Sequence, residues 1–157
     1  SNVACSSTTE FVTYNDSPNG YSMSIPDSWD IVSWGETVTF YSPSSQCLGG
    51  DVIADVIAKD SQHLRLQTLY NAYKGSVEDV EGFTLISEDE ITIGGIPAMK
   101  FMYMYTDGST GDTYQDLACL LLQGNTSWSL SFWCLPECWD TYEDTFDTML
   151  NSFHVLD

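Results

Sequence analysis

The clearest pattern in the chain is an alternation of apolar residues and serines over residues 127–134. This period of two is typical of a β-strand with one buried face. Residues 114–123 predict a second strand, and Gly124 and Asn125 between the two supply a tight hairpin turn. The pattern therefore predicts a central hairpin with one apolar face and one serine-lined face. The residues predicted to face inward are Leu117, Cys119, Leu121, Trp128, Leu130 and Phe132.

A second hairpin is predicted around Gly94 and Gly95, between strands at residues 83–93 and 96–106. Counting outward from this turn places Asp89 opposite Lys100, an opposite-charge pair that supports the register. Shorter β-prone segments lie earlier in the chain, at residues 11–14, 21–25, 31–33, 37–41 and 52–58.

Two helices follow from apolar residues at helical spacing. The first stripe consists of Leu66, Leu69, Tyr70 and Tyr73. The second consists of Trp139, Tyr142, Phe146, Met149, Leu150 and Phe153. Strands and helices together predict an α+β fold in which helices cover a mostly antiparallel sheet.

Length and charge restrict the class of protein. The chain has 157 residues, which fits one domain with its own core. It carries 23 acidic and 4 basic residues, a net charge of −19. Such a surface repels nucleic acids and anionic membrane surfaces, so we expect neither as a partner. The acidity serves either solubility in a salty or extracellular medium, or recruitment of cations or a basic partner.

The five cysteines indicate an oxidising compartment, because no C-x-x-C pair and only two histidines are available for a zinc site. Cys134 and Cys138 join a strand end to a helix start, and a local disulfide between them is geometrically possible. Cys47 is an alternative partner for Cys138, and Cys119 is expected to be a buried free thiol.

The N-terminal residues resemble the processing site of a bacterial lipoprotein. Ser1 and Asn2 fit a remnant of tag removal. Val3 and Ala4 then precede Cys5, the candidate acylated cysteine, and a Ser/Thr-rich stretch follows. We therefore divide the chain into a remnant and flexible tether at residues 1–10 and a single domain at residues 11–157.

Two motifs resemble the PsbP-like superfamily. Residues 20–29, Gly-Tyr-Ser-Met-Ser-Ile-Pro-Asp-Ser-Trp, are similar to its opening, and residues 145–153 are similar to its closing helix. The resemblance implies an α/β sandwich, a mostly antiparallel twisted sheet with packed helices. The superfamily is named for an extrinsic photosystem II subunit and includes a Ran-binding nuclear import factor and many small bacterial lipoproteins of unknown role. We do not transfer the photosystem or Ran-binding roles, because these motifs specify a fold rather than an activity.

Two candidate sites follow from the residues. The serine-lined face of the central hairpin, if left open, forms a shallow ligand groove edged by aromatic rings; its candidate residues are Tyr114, Ser129, Ser131, Trp133 and Trp139. An N-terminal segment or a helix covering this face would remove the groove. The second candidate is a calcium site in a Gly-bearing loop, with hard oxygen ligands from Asp107, Ser109 and Asp112 and with Asp116 nearby on the following strand. The loop lacks the EF-hand pattern.

No motif for nucleophilic catalysis is present, so we expect no enzymatic activity and no cofactor other than calcium. The leading hypothesis is a non-enzymatic extracytoplasmic lipoprotein domain, bound to a bacterial membrane only through its lipid, that binds an envelope protein or a small ligand. A calcium-binding accessory module is the alternative. A third reading, an enzyme, requires a pocket in which an acid with a shifted pKa meets an aromatic wall.

Overall fold

The computed structural model describes residues 9–43, 47, 48 and 50–157. The candidate lipidation residue Cys5 lies outside these residues. Twelve named strands and helices follow one another along the chain: β1 (Phe11–Asp16), β2 (Tyr21–Pro26), β3 (Asp30–Trp34), β4 (Thr37–Tyr41), β5 (Ile53–Asp60), α1 (Leu66–Glu78), β6 (Thr84–Ile93), β7 (Ile96–Thr106), β8 (Thr113–Gln123), β9 (Thr126–Cys134), α2 (Trp139–Ser152) and β10 (His154–Val155).

The strands form two antiparallel sheets. The larger has seven strands in the order β3-β4-β5-β9-β8-β7-β6, so the predicted β8–β9 hairpin lies at its centre. The smaller has three strands in the order β1-β2-β10. The α+β architecture predicted from the sequence is confirmed, and the division into two sheets is an addition that the local patterns did not reveal.

The registers of both predicted hairpins are confirmed. Cys119 pairs with Leu130 across the central hairpin, and Asp89 pairs with Lys100 across the β6–β7 hairpin. The turn glycines Gly94, Gly95 and Gly124 have positive φ angles, a conformation that glycine adopts without steric cost. Both turns are therefore built as the primed hairpin geometry requires.

One face of the larger sheet, which we call the inner face, carries the main core. Leu130 and Phe132 are fully buried there, and α2 and the smaller sheet cover them with the predicted helical stripe and with Tyr21, Met23 and Ile25. A hydrogen bond of 2.8 Å from the backbone N–H of Ser24 to Ser152 Oγ joins β2 to the end of α2. The prediction that leucine faces inward and serine outward is confirmed, because Leu130 is fully buried and Ser129 is only half-buried.

Helix α1 packs on the opposite face, which we call the outer face, across β7 and β8. Its residues Tyr70, Tyr73 and Val77 form a second, smaller cluster with Phe101 and Tyr103. The helix begins at Leu66, and Arg65 before it provides no side-chain cap. None of the helices among residues 9–43, 47, 48 and 50–157 is long and apolar enough to cross a membrane.

The predicted local disulfide between Cys134 and Cys138 is wrong, whereas the alternative partner Cys47 is confirmed. Cys138 is bonded to Cys47, with a Cα–Cα distance of 5.9 Å, and Cys134 is a buried free thiol. Cys138 lies in a 3₁₀ turn that leads into α2, where the loop carrying Cys47 meets it. Cys134 ends strand β9 with its side chain on the inner face, packed into the core. Cys119 is a buried free thiol, as expected.

Candidate functional site

Helix α1 holds two tyrosines over the outer face of the sheet. Tyr70 and Tyr73 project from one side of the helix because they are three residues apart. Their rings contact Phe101 edge-on, with ring centroids 5.4 and 5.7 Å from it. The hydroxyl of Tyr70 also donates a hydrogen bond to Glu88. Lys74 forms an ion pair with the same carboxylate, with a distance of 2.6 Å between Nζ and Oε1. These contacts seat the helix on β7 and β8 and close that part of the outer face.

Asp116 lies beneath this helix, on strand β8, and only 4% of it is exposed. The hydroxyl of Ser131 is 2.8 Å from both of its carboxylate oxygens. The hydroxyl of Tyr103 donates a weaker bond of 3.3 Å. The pKa of Tyr73 on α1 is raised, first by burial and next by the charge of Asp116. Asp116 is thus a buried acid held by hydroxyl groups from strands β7 and β9.

Burial raises the pKa of Asp116 to about 7, because a charged carboxylate is poorly solvated there. The bonds from Ser131 and Tyr103 lower the pKa and offset part of this effect, whereas the nearby charge of Asp55 raises it further. The pKa of Tyr103 is itself raised, first by burial and next by the charge of Asp116. Asp116 consequently changes its charge near neutral pH.

A second carboxyl group faces the same serine from the other side. Asp55 lies on β5 directly opposite Ser131 in the register, and Thr39 Oγ1 on β4 donates a 2.5 Å hydrogen bond to it. Burial raises the pKa of Asp55, and the bond from Thr39 lowers it in part. We call the six residues that share these contacts the outer-face cluster: Thr39, Asp55, Tyr73, Tyr103, Asp116 and Ser131.

The cluster combines two carboxyl groups with hydroxyl groups and no positive partner. The chain has four basic residues, and none of them is among the groups that shift the pKa of either acid. An arrangement of this kind can hold a proton or attract a cation, because either one relieves the cost of two acids in a poorly solvated place. Within the described residues, no group of three or more acid, histidine or cysteine side chains is arranged to hold a metal ion.

The structure brings four of the five predicted groove residues to this face. Tyr114, Ser129, Ser131 and Trp133 are all half-buried on the outer face of β8 and β9. Trp139 does not join them, because it belongs to α2 and packs in the core behind the inner face, where it is 5% exposed. The helix that sequence reasoning named as a possible cover does cover the β7–β8 half of the face.

The predicted calcium loop lies at one end of the outer face, and hydrogen bonds within the loop hold its polar side chains. Asp107 Oδ1 accepts bonds from the backbone N–H of Ser109 at 2.8 Å and from Ser109 Oγ at 2.6 Å. These bonds, first the one from the side chain, lower the pKa of Asp107. The backbone N–H of Asp112 instead bonds Thr110 Oγ1 at 3.2 Å. The hydroxyl of Ser109 is therefore turned toward Asp107 rather than outward.

The loop also borders the aromatic end of the groove. The rings of Tyr105 and Tyr114 are 5.9 Å apart, and the pKa of Tyr114 is raised first by burial and next by the charges of Asp112, Asp51 and Asp107. The two predicted sites, groove and loop, are thus neighbours on one surface. That surface presents aromatic rings edged by carboxylates, which suits a positively charged group.

Sequence reasoning missed Asp55, and it considered Asp116 only as a neighbour of the candidate calcium loop. Asp55 interrupts an apolar strand in the middle of residues 53–58, whereas Asp116 follows the polar Gln115 and directly precedes the apolar run that begins at Leu117. An acid within or beside an apolar run is the signal that could have found both, because a buried charge must be partnered. The hydroxyl-bearing residues Thr39, Tyr73 and Tyr103 carry no comparable signal, since Thr and Tyr are common on strands and helices.

A cavity of about 530 Å³ lies apart from the predicted residues, between the β1–β2 turn and the end of the central hairpin. Its lining includes Asn19, Glu36, Lys59, Asp60 and Asn125, a mixture of both charges and amides. Its aromatic lining residue, Trp128, is 3% exposed and donates a 2.9 Å hydrogen bond to the carbonyl of Asn19. The indole ring of Trp128 therefore stabilises the β1–β2 turn.

Comparisons with known proteins decide the family. The model of a PsbP-like protein family matches residues 1–155. The chain belongs to the PsbP-like family. This confirms the resemblance carried by the opening and closing motifs. A search of curated proteins found no match.

Solved structures share the PsbP-like fold at low sequence identity. The cyanobacterial PsbP of Synechocystis sp. PCC 6803 has a TM-score of 0.68 at 20% identity, with 99% of this chain and 98% of that chain covered. LpqN of Mycobacterium tuberculosis, described as involved in cell envelope biogenesis, has a TM-score of 0.71 at 11% identity, covering 94% and 91%. A putative regulator of unknown function from Pseudomonas aeruginosa has a TM-score of 0.61 at 17% identity, covering 88% and 92%. These likenesses show the fold alone.

Proposed function

We propose that this PsbP-like chain is an extracytoplasmic binding domain of a bacterial cell envelope, without catalytic activity. Its outer face binds a positively charged group, carried by an envelope protein or a small ligand. The observation that carries the proposal is the pair Asp55 and Asp116, which face one serine from neighbouring strands with no basic side chain among their partners.

A cation at this face would stabilise both acids in their charged forms. Asp116 is too buried to meet a ligand directly, but Asp55 is half-buried and belongs to the part of the face that lies beyond α1. Trp133 and Tyr114 lie on the same face and offer aromatic surface to an ammonium or guanidinium group. The net charge of −19 adds long-range attraction for such a partner.

The proposed location rests on three features. The disulfide between Cys47 and Cys138 fits an oxidising compartment. The residues around Cys5 resemble a lipoprotein processing site, so a lipid on Cys5 would be the membrane anchor. The structurally similar LpqN is described as involved in cell envelope biogenesis. Mass spectrometry of the protein purified from its native membrane checks the anchor, and an unmodified Cys5 would remove it from the proposal.

Asp116 could also serve acid–base catalysis, because an acid with a pKa near neutrality can transfer protons. Its 4% exposure and its hydroxyl partners leave little of the carboxyl group for a substrate. The two histidines lie elsewhere, His63 in the turn before α1 and His154 on β10 of the smaller sheet. We therefore favour binding over catalysis.

Titration calorimetry at physiological ionic strength tests the proposal with three probes: a tetra-arginine peptide, spermidine and calcium chloride. We expect the peptide or spermidine to release heat with the wild type and to bind at least about fivefold more weakly to Asp55→Asn, a loss of about 1 kcal/mol. The matched control is Asp144→Asn, which removes the same charge from the exposed side of α2.

Equal binding to the two variants would contradict a site at the outer-face cluster, because it would show attraction by net charge alone. Heat from calcium that is lost in Asp107→Asn, with none from the cationic probes, would replace the proposal with the alternative calcium-binding module.

A further inference from the structure

The two edges of the seven-stranded sheet differ in how they are protected. The β6 edge carries an irregularity between Leu85 and Ser87 and then three consecutive acids, Glu88, Asp89 and Glu90. Bulges and charges are the devices by which proteins keep a sheet edge from pairing with other chains. The β3 edge has neither device along residues 31–34, since its register with β4 is unbroken.

Strand β3 also carries large exposed apolar side chains, whereas on the β6 edge such residues, Leu85 and Ile86, lie at the irregularity. Trp34 is 73% exposed and Ile31 is 44% exposed. Trp34 shares the outer face with Thr37, its partner on β4, whereas Ile31 lies opposite Phe40 on the inner side. Large apolar side chains that flank an open edge on both faces are typical of a surface that receives another strand.

The backbone groups that such a strand would need are fixed by the β3–β4 hairpin. Trp34 and Thr37 flank the two-residue turn at Gly35 and Glu36, so they exchange hydrogen bonds with each other. Because bonding alternates along an antiparallel pair, Asp30 and Val32 also point their backbone groups toward β4. The N–H and C=O groups of Ile31 and Ser33 then point away from the sheet. Among the described strands, only β4 pairs with β3.

The edge is held in place before any partner arrives. The side-chain amide of Asn19 donates a 2.8 Å bond to the carbonyl of Gly35, in the hairpin turn. Asn19 is fixed by Asp16, which accepts bonds from its side chain at 2.8 Å and from its backbone N–H at 3.1 Å. A pre-organised edge loses little conformational entropy on binding, which favours affinity.

Charge decides what kind of strand fits. Asp27, Asp30 and Glu36 are exposed around β3, and all four basic residues come later in the chain, from Lys59 onward. Lys59 lines the same cavity as Glu36 and offsets part of the charge there. A second copy, with a net charge of −19, would be repelled.

We propose that the free edge of β3 binds an extended, basic segment of a partner protein, which adds to the seven-stranded sheet as an eighth strand. Its backbone bonds Ile31 and Ser33, and its apolar side chains pack on Ile31 and Trp34. The edge adjoins the outer-face cluster, since Val32 pairs with Thr39. The outward backbone groups of Ile31 and Ser33 are not part of that cluster, so the inference goes beyond the proposed function and does not depend on it.

The test follows backbone amides by nuclear magnetic resonance while a decapeptide of alternating lysine and valine is added. The amides of Ile31 and Ser33 are expected to gain protection from hydrogen exchange, whereas those of Val32 and Trp34 are protected already. A decapeptide of alternating glutamate and valine is expected not to bind.

Two variants check the edge itself. Ser33→Pro removes an outward N–H and is expected to weaken binding about tenfold, the value of one hydrogen bond. Its matched control is Thr92→Pro, the same change at the exposed β6 edge. Trp34→Ala is expected to weaken binding without touching the backbone, so it still tests the proposal if the proline variant does not fold.

Three results would overturn the proposal: absence of binding by the lysine–valine peptide, protection at β6 instead of β3, or equal binding by the glutamate–valine peptide. A concentration-dependent dimer that Trp34→Ala abolishes would also overturn it, since the occupant would then be a second copy. Unchanged binding in Asp55→Asn separates this edge from the outer-face cluster.

Discussion

The two faces of the seven-stranded sheet are covered by different chemistry. On the inner face, α2 and the smaller sheet bury aromatic and aliphatic side chains such as Phe132 and Phe146. On the outer face, α1 is seated by tyrosines, and beneath it lie Asp116 and its hydroxyl partners. The inner face is thus a conventional core, whereas the outer face keeps titratable groups in a poorly solvated place. The main core and the proposed binding site therefore lie on opposite faces of one sheet.

The largest effect is expected from the inner face. Phe132 is fully buried and contacts Phe146 at a centroid distance of 5.5 Å. Phe132→Ala is expected to lower the free energy of unfolding by about 3–5 kcal/mol, because it removes a large side chain and leaves a cavity. Urea denaturation measures the change. Ser129→Ala, on the same strand but facing outward, is the control and should change stability by less than about 0.5 kcal/mol. Equal effects would refute the division between the faces.

The next effect depends on pH and concerns Asp116. Its pKa is about 7 in the folded chain against an ordinary value of 3.8, because burial favours the neutral acid. Between these values the folded chain holds a proton that the unfolded chain has lost. The contribution of Asp116 to the free energy of unfolding is therefore fully present below pH 4 and is lost as the pH rises through 7. The loss amounts to at most about 1.4 kcal/mol per pH unit.

Asp116→Asn removes this titration, so we expect the decline in melting temperature between pH 5 and pH 8 to become shallower. A residual slope is expected from Asp55, whose pKa burial also raises. Thermal denaturation followed at half-unit pH steps provides the measurement. A variant with the same slope as the wild type would show that Asp116 does not titrate in this range.

A smaller effect is expected from Ser131, which links the two acids. Ser131→Ala removes the 2.8 Å contacts with Asp116, so the charged form loses a favourable partner and the pKa of Asp116 rises further. At pH 8 the loss should be about 1–2 kcal/mol, and at pH 5 it should be smaller because the acid is then protonated. Ser127→Ala, on the same face but outside the cluster, is the matched control. Losses independent of pH would indicate a packing defect instead.

The inner face could be predicted from sequence because its information is local. Period-two alternation assigned Trp128, Leu130 and Phe132 to one side, and the turn at Gly124 fixed their partners by counting. The same counting worked for Asp89 and Lys100. The stripe in α2 specified which side of the helix is buried, although not that a second sheet lies beside it.

The outer face and the disulfide could not be predicted in this way, because they depend on contacts between distant segments. Nothing near Asp116 in sequence shows that Tyr73 of α1 lies above it. Cys138 bonds Cys47 at a sequence separation of 91, whereas the shorter spacing to Cys134 was misleading. Trp139 was assigned both to the groove and to the apolar stripe of the second helix, and only the stripe is confirmed, because α2 holds this residue in the core behind the inner face.

The central claim is that Asp116 and Asp55 form a charge-sensitive cluster to which a cation can bind. The most direct measurement is the pKa of Asp116, followed through its carboxyl carbon by nuclear magnetic resonance with and without the tetra-arginine peptide. The account predicts a pKa of about 7 for the free protein, and a lower value when the peptide is present because a positive charge stabilises the carboxylate. A pKa near the ordinary value of 3.8, or one that the peptide leaves unchanged, would contradict it.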